Sequence, residues 1–190
     1  MFDVACAALG LLLLAPLLLL AAVWIKLDSP GPALFRQTRV GRFGVPFTIH
    51  KFRTMRVEPG AAITVGADPR ITRAGHLLRA TKLDELPQLW DVLRGAMSLV
   101  GPRPELPRYV ALYPEETRRL LLSVRPGITD LASLHYRDES TVLARAADPE
   151  RAYVDVVLPA KLALSSRYVR EASMWGDLCL IAATLRALLH

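Results

Sequence analysis

The sequence predicts an α+β protein, mostly helical, built from an N-terminal membrane helix, a small β-hairpin, and interfacial and C-terminal helices. Three observations predict it. Val4 to Ile25 is a run without a single charged side chain. Ala33 to Val40 and Pro46 to Arg53 are two short strand-like stretches flanking Gly41-Arg42-Phe43-Gly44. From Thr72 onward the apolar residues recur mostly at helical spacing. The chain divides into a membrane segment, residues 1–27, and a domain of residues 28–190, a size that one hydrophobic core can fill.

As a straight helix the apolar run reaches about 33 Å, enough to cross a bilayer core. Asp3 is the only charge before it and no small-residue cleavage motif precedes Lys26, so it does not read as a secretory signal. Lys26, Arg36, Arg39 and Arg42 follow the run, which places the domain in the cytoplasm by the positive-inside tendency. Pro16 removes a backbone hydrogen bond and crowds the preceding turn, so a bend is expected there. The residues alone lean towards a kinked helix that crosses the bilayer, because proline is common in spanning helices. The other course they allow is two half-helices of roughly 16 Å that enter one leaflet and turn back.

Hydrophobic residues make up 52% of the chain, more than a soluble domain of this size usually carries, and the excess sits at the N-terminus. A net charge of +6 calls for an anionic partner. The basic residues are dispersed among loops, without a run or interleaved aromatics, so nucleic acid is set aside in favour of anionic lipid and a phosphorylated substrate. Cys6 and Cys179 lie in apolar segments with no metal-ligand or redox spacing and are read as buried, inert thiols.

After the rigid exit Asp28-Ser29-Pro30-Gly31-Pro32 comes the hairpin. Alternation along its second strand puts Lys51 and Arg53 on one face and Phe52 on the other. Residues 57–70 read as a loop, and Thr72 as the cap of a short helix carrying Leu77 and Leu78. Leu86, Leu89, Trp90 and Leu93 then follow helical spacing. Pro87 is tolerable only in a first turn, so Asp84 and Glu85 are expected at a helix N-terminus, where the dipole keeps both ionised. Pro102 and Pro104 hold the backbone on either side of Arg103.

Further helices are expected from Glu105, from Pro114 through Leu122, and over 138–146, 149–171 and 174–189, with Pro159 bending or splitting the longest. The last segment is too short to span a bilayer and is read as core, its one charge giving it a weak polar face.

Asp84 and Glu85, together with Lys51, Arg53, Arg79 and Arg103, would suit pyrophosphate chemistry if the fold gathers them. Several negative charges must be screened before a nucleophile can approach phosphorus. Arginines grip phosphate oxygens in pairs, and Mg²⁺ is commonly held by one or two carboxylates plus substrate phosphates. The second carboxylate is then free to attack or to act as a base. Taken singly, each residue has a bland explanation. An acid pair in a first turn is usually a dipole partner, and arginines near acids are usually surface ion pairs worth about 0–1 kcal/mol.

Pro30-Gly31-Pro32, Phe35-Arg36-Gln37, Lys51-Phe52-Arg53-Thr54-Met55, Asp84-Glu85-Leu86-Pro87-Gln88, Met97 through Pro104 and Pro126-Gly127-Ile128-Thr129, in that order, resemble the bacterial sugar transferase family. These are monotopic polyprenyl-phosphate phosphoglycosyl transferases. The resemblance implies transfer of a sugar phosphate from a UDP-sugar to undecaprenyl phosphate, with release of UMP, at the cytoplasmic face of the bacterial inner membrane. It makes Asp84 the nucleophile and Glu85 the residue that helps hold Mg²⁺. Arg79 and Arg103 would contact phosphate, Lys51 and Arg53 would be further active-site cations, and Arg137 a phosphate or substrate contact. The family's membrane segment is re-entrant and broken at a proline, which Pro16 matches, so the resemblance reverses the lean towards a crossing helix.

The chain departs from the pattern at Ala15, Ala96 and Asp130 to Arg137, so sugar contacts do not carry over. Polyprenyl phosphate is already an anion near neutral pH and needs no base, which favours a covalent, ping-pong route through Asp84. The alternative from another class is a non-catalytic, membrane-anchored scaffold that binds polyprenyl phosphate. A homodimer is the simplest assembly to expect.

Overall fold

Residues Phe2–Asp28 form one helix, α1, which Pro16 does not interrupt. The computed structural model describes residues 1–56, 66, 68–136 and 142–188. Ala7, Leu11, Leu14, Leu18, Ala21 and Ile25, at alternating steps of four and three, turn one side of α1 to the domain both before and after the proline. Gly10 lets the backbone come close there, since a Cβ would lie 3.3 Å from Leu89 Cδ1. Leu9, Leu12, Leu13, Leu19, Leu20, Val23 and Leu27 are exposed. The helix is long and apolar enough to cross a membrane. Yet both of its ends are tied to the same domain: Asp3 accepts a hydrogen bond from Ser98 Oγ at 2.7 Å, and Asp28 one from the Ala74 amide at 3.0 Å.

The hairpin is as expected. Strand β1, Leu34–Val40, pairs antiparallel with β2, Pro46–Phe52, in register from Leu34 opposite Phe52 to Val40 opposite Pro46. Its tip turns through the left-handed Phe43 and Gly44. Helix α2, Arg73–Ala80, is capped by Thr72, whose Oγ1 accepts the Gly75 amide at 3.0 Å.

The acid pair is not at the N-terminus of an α-helix. Leu83–Glu85 is a single 3₁₀ turn, and α3, Gln88–Leu93, starts only after Pro87. The helix dipole therefore does not act on these acids as expected. Two short parallel strands, β3 (Ser98–Val100) and β4 (Gly127–Thr129), also went unforeseen, because three residues give no readable alternation.

Helix α4 covers Pro107–Val110 and leaves Glu105 in the preceding extended loop, whereas α5, Glu115–Leu121, matches its expected bounds closely. Asp130 caps α6, Leu131–His135, through the Ser133 amide at 2.7 Å. Beyond it, α7 (Pro149–Ala152) runs through a π-turn at Tyr153–Val157 into α8, Leu158–Glu171. Pro159 has no N–H for the carbonyl four residues back, and the turn just before it widens instead of breaking.

The last helix, α9, Met174–Leu188, is not core. Met174, Trp175, Leu178 and Leu185 are exposed, as is Cys179, while Thr184 Oγ1 meets Thr129 Oγ1 at 2.8 Å. Apolar composition alone does not tell a buried helix from one whose apolar side chains stay exposed.

Candidate active site

Three pieces of backbone geometry bring the site together. Gly75 on α2 lies so close to Thr54 that a Cβ would overlap the Thr54 carbonyl. That contact sets α2 against the end of β2 and lets Arg79 Nε donate to Thr54 Oγ1 at 3.1 Å. Lys82, with a left-handed φ of 55°, reverses the chain after α2 and swings Asp84 and Glu85 inward. Gly101 and Gly127 let β3 and β4 approach backbone to backbone. The Gly127 amide donates to Pro102 O and the Gly101 amide to Thr129 O, each at 3.0 Å, which fixes the Pro102-Arg103-Pro104 loop opposite the acids.

Glu85 lies at the centre. Its Oε1 accepts Lys51 Nζ at 2.8 Å and an Arg103 guanidinium nitrogen at 2.5 Å, and its Oε2 accepts the second Arg103 nitrogen at 3.3 Å. Burial pushes its carboxyl up, but Arg103 and Lys51 outweigh burial and hold it well below the usual carboxylate range. Asp84, 9% exposed, has the opposite character. Burial, and then the charge of Glu85, push its carboxyl up against the opposing pull of Lys51, Lys82 and Arg79. Its Oδ1 is buried with no hydrogen-bond partner among the described residues. The neighbouring acids are thus held in different states, one a fixed anion and the other a desolvated, more basic carboxyl. Lys51 is lowered by burial and by Arg103, with Glu85 opposing.

Of the residues expected at the site, Lys51 and Arg103 meet Glu85 directly, and Lys51 and Arg79 are near enough for their charges to act on Asp84. Arg53 points elsewhere. It is 3% exposed, and its guanidinium donates to Ser29 O at 2.8 Å, to Ile25 O at 3.4 Å and to Pro30 O, tying down the C-terminal end of α1. Strand alternation could not foresee this, because β2 ends at Phe52. Arg53→Ala is accordingly expected to lower stability by about 1.5–3 kcal/mol while leaving donor affinity of the folded protein unchanged, measured by thermal melting and by titration with a UDP-sugar. A large loss of donor affinity without a loss of stability would return Arg53 to the site.

Arg137 lies outside the described residues, as do most of the loop read at 57–70 and part of the helix read at 138–146. Sequence reasoning missed a second charged group behind Arg103, formed by Glu105, Arg39, Tyr153 and Lys161. It also missed the His50–Asp91 pair, at 2.7 Å, which joins β2 to α3. The signal for the first is the acid directly after Pro104, which the sequence reading places at a helix start.

Among the described residues no three His, Cys, Asp or Glu side chains gather as a metal cage. The donors do fit an ion held by few protein ligands and completed by substrate phosphate oxygens. Among the described residues, Glu85 Oε2 accepts only the longer Arg103 bond, which leaves it room for such an ion.

Desolvated carboxylates of unequal basicity among fixed cations are useful where a polyanion must be bound and attacked, and this chain presents such an arrangement. More particularly, it belongs to the bacterial sugar transferase family, whose model matches residues 1–190. It is similar to the UDP-glucose:undecaprenyl-phosphate glucose-1-phosphate transferase of Caulobacter vibrioides, at 44% identity over 98% of this chain and 68% of the relative. The Escherichia coli protein of the same name is 38% identical over 96% of this chain and 38% of its own length. A UDP-N-acetylgalactosamine-undecaprenyl-phosphate N-acetylgalactosaminephosphotransferase of Aeromonas hydrophila is 36% identical over 98% of this chain and 42% of the relative. The chain thus spans well under half the length of the last two.

Proposed function

We propose that this chain transfers a sugar phosphate from a UDP-sugar to undecaprenyl phosphate through an aspartyl-phosphosugar intermediate on Asp84, at the cytoplasmic face of the bacterial inner membrane. The observation that carries this is the unequal acid pair: Asp84 desolvated, its Oδ1 without a hydrogen-bond partner among the described residues, beside Glu85 held by Lys51 and Arg103. The similar proteins of Caulobacter vibrioides, Escherichia coli and Aeromonas hydrophila carry names for this class of reaction.

In the first step an Asp84 oxygen bonds to the phosphorus that bears the sugar, and the bond from that phosphorus to the bridging oxygen breaks. UMP leaves with the electron pair. In the second step an oxygen of undecaprenyl phosphate bonds to the same phosphorus, the bond to Asp84 breaks, and the carboxylate is restored. Arg103 and Lys51 bind phosphate oxygens released from their contacts with Glu85, and Arg79 counters charge near Asp84. Glu85 is the residue that would hold Mg²⁺, which when bound would screen the charge of the diphosphate.

Turnover tests this directly. Purified protein given a UDP-sugar, Mg²⁺ and undecaprenyl phosphate is expected to release UMP in step with a polyprenyl-diphosphate sugar. Lipid binding without UMP would favour the non-catalytic scaffold.

The membrane segment is proposed to be re-entrant, supported by the attachment of both Asp3 and Asp28 to the one domain. A cysteine placed at Phe2 is expected to resist an impermeant reagent applied outside intact cells and to react after permeabilisation. Labelling from outside would establish a crossing helix.

A further inference from the structure

Behind the Pro102–Pro104 loop, on the side away from Glu85, buried charges converge on one residue that the proposed chemistry does not use. Glu105 is 9% exposed. Its Oε1 accepts Tyr153 Oη at 2.6 Å and lies 3.6 Å from Lys161 Nζ, and its Oε2 lies 3.5 Å from an Arg39 nitrogen and 3.3 Å from the Leu106 amide. The same Arg39 nitrogen donates to Pro104 O at 3.1 Å, and the Val40 amide to Glu105 O at 3.0 Å. Backbone and carboxylate are therefore gripped from strand β1, from the π-turn that delivers Tyr153, and from α8, which delivers Lys161.

We propose that Glu105 is a positioning residue for Arg103. Held by Tyr153, Lys161 and Arg39, it fixes the loop that aims the Arg103 guanidinium at the acid pair and at the phosphates that replace Glu85. This rests on the phosphate-binding role of Arg103 given above. The charge is needed as well as the shape. Arg39 and Arg103 repel each other, and although burial pushes the Glu105 carboxyl up, Lys161, Tyr153 and Arg39 outweigh it and hold it below the usual carboxylate range. Without the anion, the repulsion between Arg39 and Arg103 would have less to offset it and the loop would have reason to move.

A double-mutant cycle tests it, with kcat/KM for the UDP-sugar read from UMP release by the full chain. Glu105→Gln keeps the size of the side chain and an acceptor for Tyr153 but removes the charge. It is expected to lower kcat/KM about tenfold in the otherwise unaltered protein and by less than about twofold when Arg103→Ala is already present. A merely structural role would reduce both backgrounds by the same factor, and that result would overturn the inference, as would full activity of Glu105→Gln alone. If Glu105→Gln does not fold, Tyr153→Phe enters the same cycle under the same criterion. No loss on Arg103→Ala itself would defeat the phosphate role of Arg103 together with the inference, whereas normal Arg103 dependence with multiplicative losses would defeat the inference alone.

Discussion

Asp84→Asn is expected to abolish transfer, lowering kcat/KM by at least about 10³-fold, without harming the fold. Asparagine has the same shape and no oxygen able to form the phosphoryl bond. Asp84 Oδ1 makes no hydrogen bond among the described residues, so the carboxamide displaces no contact there. Stability is expected to stay level or rise at neutral pH. The folded carboxyl is pushed up by burial and by Glu85, so whatever stability it contributes is present at acid pH and lost as pH rises through its folded value. Above that value the buried charge is destabilising, and the neutral variant escapes it. Any gain in melting temperature should shrink on acidification. Inactivity accompanied by a much lower melting temperature would instead mean that the site had collapsed, and would remove the support for a chemical role.

Gly127→Ala should do the reverse and destroy the fold around an intact set of catalytic side chains. A Cβ at Gly127 would overlap the nitrogen, oxygen and Cα of Gly101, and these are backbone atoms that cannot swing aside as a side chain tip can. The two segments cannot part without losing the bonds from the Ser98 amide to Pro126 O, from the Gly101 amide to Thr129 O and from the Gly127 amide to Pro102 O. Overpacking of this kind costs about 3 kcal/mol or more, a large share of a total stability of about 5–15 kcal/mol. The expected result is protein that melts far below the unaltered chain or is not recovered folded, with turnover lost because Arg103 follows directly on this contact. At Gly95 a Cβ would meet nothing within 4 Å, so alanine there brings only the strain of its φ of 77° and should be much milder. Equal behaviour of the two variants would contradict the proposed role of the Gly101–Gly127 contact.

What could be read from the sequence follows from the range of the forces involved. The hairpin, the Thr72 cap, α5 and the apolar N-terminal helix are local decisions, made by turn residues, caps and periodicity, and they were legible. Asp84 and Glu85 stood out as a pair, and Lys51 and Arg103 do reach them. Their different states did not stand out, because Asp84 is set by burial and Glu85 by cations arriving from positions 51 and 103, far away along the chain. Arg53 misled for a related reason. A basic residue two positions from Lys51 looks like a partner until the carbonyls at the end of α1 are seen around it. Glu105 was missed because its partners, Arg39, Tyr153 and Lys161, are spread over the chain and carry no local signal. The short strands β3 and β4 left a trace only in their glycines, whose purpose is the close approach of two backbones.

The covalent role of Asp84 is tested most directly by mass spectrometry of the protein after incubation with a UDP-sugar and Mg²⁺ in the absence of lipid acceptor. The expected result is release of UMP together with a sugar-phosphate mass increase on the peptide containing Asp84. The increase should disappear on addition of undecaprenyl phosphate and be absent from Asp84→Asn. Lipid-dependent turnover with no adduct on Asp84 at any time would contradict it.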